Sequence, residues 1–164
     1  MIEVVVDDLA FVRADAIVRA ADEQLDPVTP EMARLDRQAG DRFAALRRVG
    51  SPLAAGAAVV TGGGDLATAL VLHVVIRDRA VPTGRDVVRR ALTSAWQRAA
   101  DWGLATVASP LIGVGPGLLG PEEAAALLAE TFPPAADCPG RLSIVVDREE
   151  ERELVAAVVQ RRRG

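Results

Sequence analysis

The sequence predicts an α/β fold, a three-layer α/β/α sandwich with a central mixed, mostly parallel sheet. Three observations carry that expectation. Short apolar runs alternate along the chain with stretches of helical spacing, the order produced by crossover connections between parallel strands. The composition is half hydrophobic and poor in aromatics, as in a globular domain and unlike a disordered chain. Residues 106–121, TVASPLIGVGPGLLGP, run from an apolar strand through a glycine-rich loop into a helix start.

The elements follow in order. Ile2 to Val6 reads as a short buried strand, stopped by Asp7-Asp8 ahead of Leu9. Asp15 precedes a second apolar run, Ala16-Ile17-Val18, which ends in Arg19-Ala20-Ala21-Asp22. A loop with Pro27 and Pro30 comes next. Thr29 suits a helix cap with Pro30 at the first helical position, and Gly40 ends that helix after about Ala39. Asp41 to Arg48 adds a helical turn or two, and Gly50 to Gly56 is loop. Strands are expected at Ala57 to Thr61, closed by Gly62-Gly63-Gly64-Asp65 as a turn, and at Leu70 to Ile76 around His73. Arg77 to Gly84 is a polar loop.

A long helix is expected from about Arg85 to Trp102, where Gly103 stops it. Its apolar stripe is Val88, Leu92, Ala95, Ala99 and Trp102. Thr106 to Ile112 reads as a buried strand emptying into Gly113, Gly115, Gly117 and Gly120. Pro121 then opens a helix whose Glu122 and Glu123 suit the positive N-terminal end; it reaches about Thr131 and is blocked by Pro133-Pro134. After a last strand, Leu142 to Val146, Asp147 with Glu150 reads as a capping box. The final helix is expected to end near Gln160, leaving Arg161, Arg162 and Arg163 as a solvated tail.

At 164 residues the chain reads as one domain, spanning 1–164. A formal charge of −4 gives no overall attraction to nucleic acid or acidic membranes, and no apolar run is long enough to span a bilayer. The start MIEVVVDD reads as a strand rather than a signal peptide. The single Cys138 cannot make an internal disulfide, which suggests a reducing, cytoplasmic setting. His73 lies among Val and Leu and reads as a hydrogen-bonded core histidine. No metal site is expected, since no Cys or second His joins it, and no Ser-His-Asp constellation suggests a catalytic centre.

Ligands of such sheets sit outside the carboxyl ends of the strands. Three loops are placed there: Asp7–Leu9, Arg19–Pro30 and Gly113–Gly120. The last combines glycine amides with a helix N-terminus, an anion-binding arrangement.

Those loops, in that order, resemble the macro domain, the ADP-ribose-binding α/β/α module, over nearly the whole chain. Asp15-Ala16-Ile17-Val18 followed by RAAD looks like the family's DAIVNAAN. GAAVVTGGGDL at 56–66 looks like its G-x-A-x-x-T-x-G strand and turn, and LVLHVV at 70–75 like its V-I-H-x-V strand. PLIGVGPGLLGPEEAAALL at 110–128 looks like its P-x-x-G-T-G-x-G-G-L loop and helix.

The resemblance implies ADP-ribose or a related adenine nucleotide, free or protein-linked, as the partner, with no membrane or nucleic acid and no cofactor. It implies Asp8 as the holder of the adenine amino group beside the Leu9 amide. Ala21 and Asp22 would flank the distal ribose, and Gly113, Val114, Gly115, Gly117 and Leu118 the diphosphate. The family's first glycine run is replaced here by Pro27-Val28-Thr29-Pro30, in which two residues lack an N–H. Arg19 and Asp22 replace the first and last Asn of NAAN, Asp22 pairing with Arg19 in the alternative to a ribose contact. Met32 stands where hydrolytic members have an Asp, and Val114 where the family has Thr. Pro116 removes a further amide.

The expectation is therefore a binding module with a degenerate site and weakened affinity, with no catalytic residue assigned. The alternatives are an ADP-ribosyl or O-acetyl-ADP-ribose hydrolase, and an interaction module that has lost nucleotide binding.

Overall fold

The computed structural model describes residues 1–134 and 137–164. Six strands form one sheet: β1 (Ile2–Val6), β2 (Ala16–Ala21), β3 (Ala58–Gly62), β4 (Leu70–Val75), β5 (Thr106–Ser109) and β6 (Arg141–Val146), in the order β1-β6-β5-β2-β4-β3. All pairings are parallel except β3 with β4, so the sheet is mixed and mostly parallel. α1 (Pro30–Ala39) and α2 (Asp41–Leu46) cover one face. α3 (Arg85–Asp101), α4 (Pro121–Thr131) and α5 (Glu149–Arg163) lie side by side on the other.

The interior strands are sealed on both sides, which is why they read as unbroken apolar runs. Every residue of β2 is buried, as are five of the six in β4. At the start of α1 the Thr29 hydroxyl accepts the Met32 amide at 3.2 Å, with Pro30 in the first turn. Gly40, at φ +84°, ends that helix and begins α2. No helix among the described residues is long and apolar enough to cross a membrane.

Four local expectations are corrected. The buried stripe of α3 excludes Trp102, which is 57% exposed, and includes Val87, Ala91 and Trp96. The helix ends at Asp101, so Trp102 lies past its last turn, and Gly103, at φ +65°, turns the chain directly after it. Trp96 is buried instead, its indole N–H donating to Thr131 Oγ1 at 3.0 Å.

The strand expected to run to Ile112 pairs only as far as Ser109, because Pro110 has no N–H for the ladder. Ile112 is nonetheless buried. Asp147 does not cap α5: Arg148 holds the capping position, with no side-chain capping bond. Lastly, the terminal arginines are part of α5 rather than a solvated tail. Arg163 donates to the carbonyls of Ala129 and Phe132 at 3.0 and 2.9 Å, and Arg162 pairs with Glu130 at 2.7 Å. These contacts satisfy carbonyls that the end of α4 would otherwise leave without partners.

Candidate functional site

The sheet order brings the carboxyl ends of β1, β6 and β5 together, although β1 is far from the others in sequence. Between these ends and α1 lies a cleft of about 140 Å³, open to solvent. Its apolar lining includes Leu9, Met32, Leu35, Leu111, Val114 and Val145. Its polar wall comprises Asp8, Glu31, Arg34, Gln38, Asp147 and Glu151.

Asp8, just after β1, lies on the cleft wall. Oδ1 accepts the Ala10 amide at 3.0 Å, capping the short 3₁₀ turn Leu9–Phe11, and Oδ2 faces Arg34 at 3.2 Å. The capping bond fixes the carboxylate on the cleft wall and leaves Oδ2 held only by an exposed arginine. Glu31 sits across from Asp147 and Glu151. Its carboxyl is raised above the usual range, first because neighbouring groups displace its water and then because those two carboxylates face it.

Of the other residues expected at a site, Val114 lines the cleft with Asp8 and Leu9, while Ala21, Asp22, Gly113, Gly115, Gly117 and Leu118 lie outside it. Gly113 has φ +87°, and a Cβ there would lie 3.0 Å from a Val88 methyl group. That glycine is therefore required by the turn itself. The Leu118 amide, expected to face a phosphate, donates instead to the Gly115 carbonyl at 2.9 Å, and the neighbouring Leu119 amide donates to the Gly113 carbonyl at 3.0 Å.

The loop after β2 is folded back on itself. Asp22 Oδ1 accepts the amides of Gln24 and Asp26 at 2.9 and 3.0 Å, and Pro27 bridges to Ala21. Leu25 holds φ +60° and is buried. The expected pairing of Asp22 with Arg19 does not occur. Three positions apart, the two lie on opposite sides of the strand's alternation.

Arg19 points into a buried network beneath this loop. Its guanidinium makes two 2.7 Å bonds to Asp36 and one of 2.9 Å to the Leu25 carbonyl, and is fully buried. The same nitrogen that bonds Leu25 lies 3.1 Å from His73 Nδ1, and His73 Nε2 lies 2.7 Å from Thr61 Oγ1. Arg47 adds bonds to the Leu25 carbonyl and to Asp26, both 3.0 Å. Phe43 stacks on His73 and lies against both guanidinium groups.

His73 is thus the hydrogen-bonded core histidine expected from its neighbours. Because an arginine can only donate, Nδ1 is the acceptor, and the proton resides on Nε2 facing Thr61. Burial, then the charges of Arg19 and Arg47, hold its pKa well below the usual histidine range. The unfolded chain consequently takes up a proton below pH ~6.5 that the folded chain refuses. Stability is expected to fall as the pH drops below that point, by up to about 1.4 kcal/mol per pH unit from this group. Denaturant titrations of wild type and His73→Gln check it: the difference between them should shrink towards acid, and a constant difference would refute it.

The polar cleft residues that sequence reasoning did not assign to a ligand are Glu31, Arg34, Gln38, Asp147 and Glu151, from α1 and the β6–α5 junction. Only the strand order, which one chain's periodicity does not encode, brings that junction beside Asp8. Among the described residues, no group of three or more His, Cys, Asp or Glu could hold a metal ion.

The fold is that of solved macrodomains. The Oceanobacillus iheyensis macrodomain with ADP aligns at TM-score 0.81 and 18% identity, over 98% of this chain and 90% of that one. A mutant of that macrodomain with ADPR gives TM-score 0.81 and 18% identity, over 98% and 92%. The Trypanosoma brucei macrodomain in complex with ADP gives TM-score 0.77 and 18% identity, over 96% and 68%. No curated protein matches the chain. The family model for the Macro domain matches residues 18–128, and with more than half of its length so matched, the chain belongs to the Macro domain family.

Proposed function

We propose that this macro domain binds ADP-ribose or a related adenine nucleotide, adenine end first, in the cleft beside Asp8. The observation that carries this reading is the placement of Asp8, Leu9 and Val114 on one cleft at the strands' carboxyl ends. The cleft's apolar lining suits a purine, and Asp8 Oδ2 is suited to accept an exocyclic amine in exchange for Arg34. The phosphates would leave past Val114 towards the amides of Gly115 and Gly117. The related structures with ADP or ADPR bound support the ligand class.

The grip on the distal half is weakened in this reading. Leu118 and Leu119 have spent their amides within the loop, and the first loop carries two prolines. Asp22 adds a negative charge near the diphosphate's path.

Calorimetric titration with ADP-ribose tests the proposal. Binding is expected, and it should weaken about tenfold or more in Asp8→Ala, since a charge-assisted hydrogen bond contributes roughly 1.5–3 kcal/mol. Equal affinity in the two proteins would reduce Asp8 to its capping bond with Ala10. No binding to either protein would leave the fold as an interaction module.

A further inference from the structure

Leu25 is the one non-glycine residue with positive φ among the described residues, at +60°. A branched side chain adopts that left-handed conformation only where its surroundings hold it there. Its side chain is buried in a small apolar cluster separate from the main core. Ala21 and Val75, the last residues of β2 and β4, share the cluster, and Val49, Leu53, Ala57 and Val59 pack against it. The Leu25 carbonyl accepts from two guanidinium groups, Arg19 at 2.9 Å and Arg47 at 3.0 Å.

The charge around that carbonyl is unbalanced. Beneath the loop, the two arginines face one carboxylate, Asp36, 2.7 Å from Arg19 and 3.6 Å from Arg47. Asp26 also meets Arg47, at 3.0 Å, but it belongs to the loop and is exposed. His73 beside them is held neutral by burial and by the two arginines. Arg47 Nε is buried with no hydrogen-bond partner among the described residues.

We propose that this is a second binding site, for a short branched aliphatic carboxylate, and that the loop after β2 is a strap whose Leu25 fills it as an internal ligand. When the strap lifts, Leu25 and Asp26 leave together. What remains is an apolar pocket beside two guanidinium groups and one carboxylate, with one uncompensated positive charge and a spare donor at Arg47 Nε. A carboxylate matches that remainder better than the Leu25 carbonyl does: it brings the missing charge and accepts at two oxygens. The strain at Leu25 is released in the same step. The two sites are independent, since neither Leu25 nor its apolar neighbours line the nucleotide cleft.

The probe is 4-methylpentanoate, which reproduces Leu25 from its carbonyl to its methyl groups with a carboxylate in place of the amide. A ligand that only stabilises the fold slows amide hydrogen exchange, whereas one that displaces the strap speeds it there. The Gln24, Leu25 and Asp26 amides, all bonded to Asp22, report on the strap. In the wild type the probe should speed their exchange at least about threefold, with no acceleration in β5 or β6. Uncharged 4-methylpentanol should need about tenfold more to do the same. Asp22→Ala removes two of the bonds that fold the strap and should bind the carboxylate about three- to tenfold more tightly, because more of it is open. Arg47→Met keeps an apolar stem without the charge, and should abolish the carboxylate's advantage over the alcohol. Unchanged or slowed exchange at the three amides, equal potency of acid and alcohol on the wild type, or equal affinity in Asp22→Ala and wild type would overturn the proposal.

Discussion

In single-turnover assays with mono-ADP-ribosylated protein and with O-acetyl-ADP-ribose, release is expected at least about 100-fold slower than from an active macro domain. Hydrolysis requires the distal ribose to be held in an attack geometry, and a misplacement near 1 Å costs about that factor. The groups for such a hold are absent from the positions that the resemblance implies. Met32 is buried at 4% exposure in place of a carboxylate, and a thioether neither orients nor deprotonates a water.

The Asp22 carboxylate is engaged by two backbone amides of its own turn. Pro27 folds back on Ala21 where a run of glycine amides would grip the diphosphate. Among the neighbouring carboxylates, Asp26 is paired with Arg47 at 3.0 Å, and Glu31 faces Asp147 and Glu151. Release near the rate of the active control, lost on mutating Asp22 or Glu31, would make the chain a hydrolase.

The second large effect concerns Arg19. Arg19→Ala is expected to destabilise the fold by about 3–5 kcal/mol, the range for removing one partner of a buried ion pair. The loss has three parts: Asp36 loses both its 2.7 Å bonds, the Leu25 carbonyl loses one of its two arginine donors, and His73 Nδ1 loses its donor. Arg19→Met combined with Asp36→Leu should cost less than Arg19→Ala alone, because no uncompensated carboxylate is left behind. Chemical denaturation of the three proteins measures both. A loss under about 1 kcal/mol for Arg19→Ala would mean that Arg47, 3.6 Å from Asp36, suffices for the network.

The strands and helices were legible because their signals are local. Thr29-Pro30, Gly40, Pro121 and Gly103 each mark a helix boundary through their own backbone chemistry, and the apolar runs of β2 and β4 mark strands buried on both faces. Boundaries that depend on neighbours were less legible. Trp102 has the right spacing for a buried stripe and lies one residue past the helix. The arginines after Gln160 read as a tail until the end of α4 is placed beside them.

The candidate site divides in the same way. Asp8, Leu9 and Val114 followed from their position at strand ends. Glu31, Arg34, Asp147 and Glu151 did not, because a charged residue on a helix's first turn looks the same whether it faces solvent or a cleft. Arg19 was the least legible. Its sequence context suggested Asp22 as its partner, but it pairs with Asp36 on α1, seventeen positions away.

The edge strand β1 has a consequence for how the molecule assembles. Among the described residues its only partner in the sheet is β6, with Ile2 opposite Leu142 and Val6 opposite Val146. β1 therefore cannot form this pairing until residues 141–146 have left the ribosome. Closing so long a loop is entropically costly, and folds dominated by such pairings form slowly. β3 with β4, and β2 with β4, can zip earlier, leaving an apolar IEVVV segment waiting with its backbone unpaired. During that interval the segment is a candidate for association between nascent chains, and Glu3 is its one charged interruption.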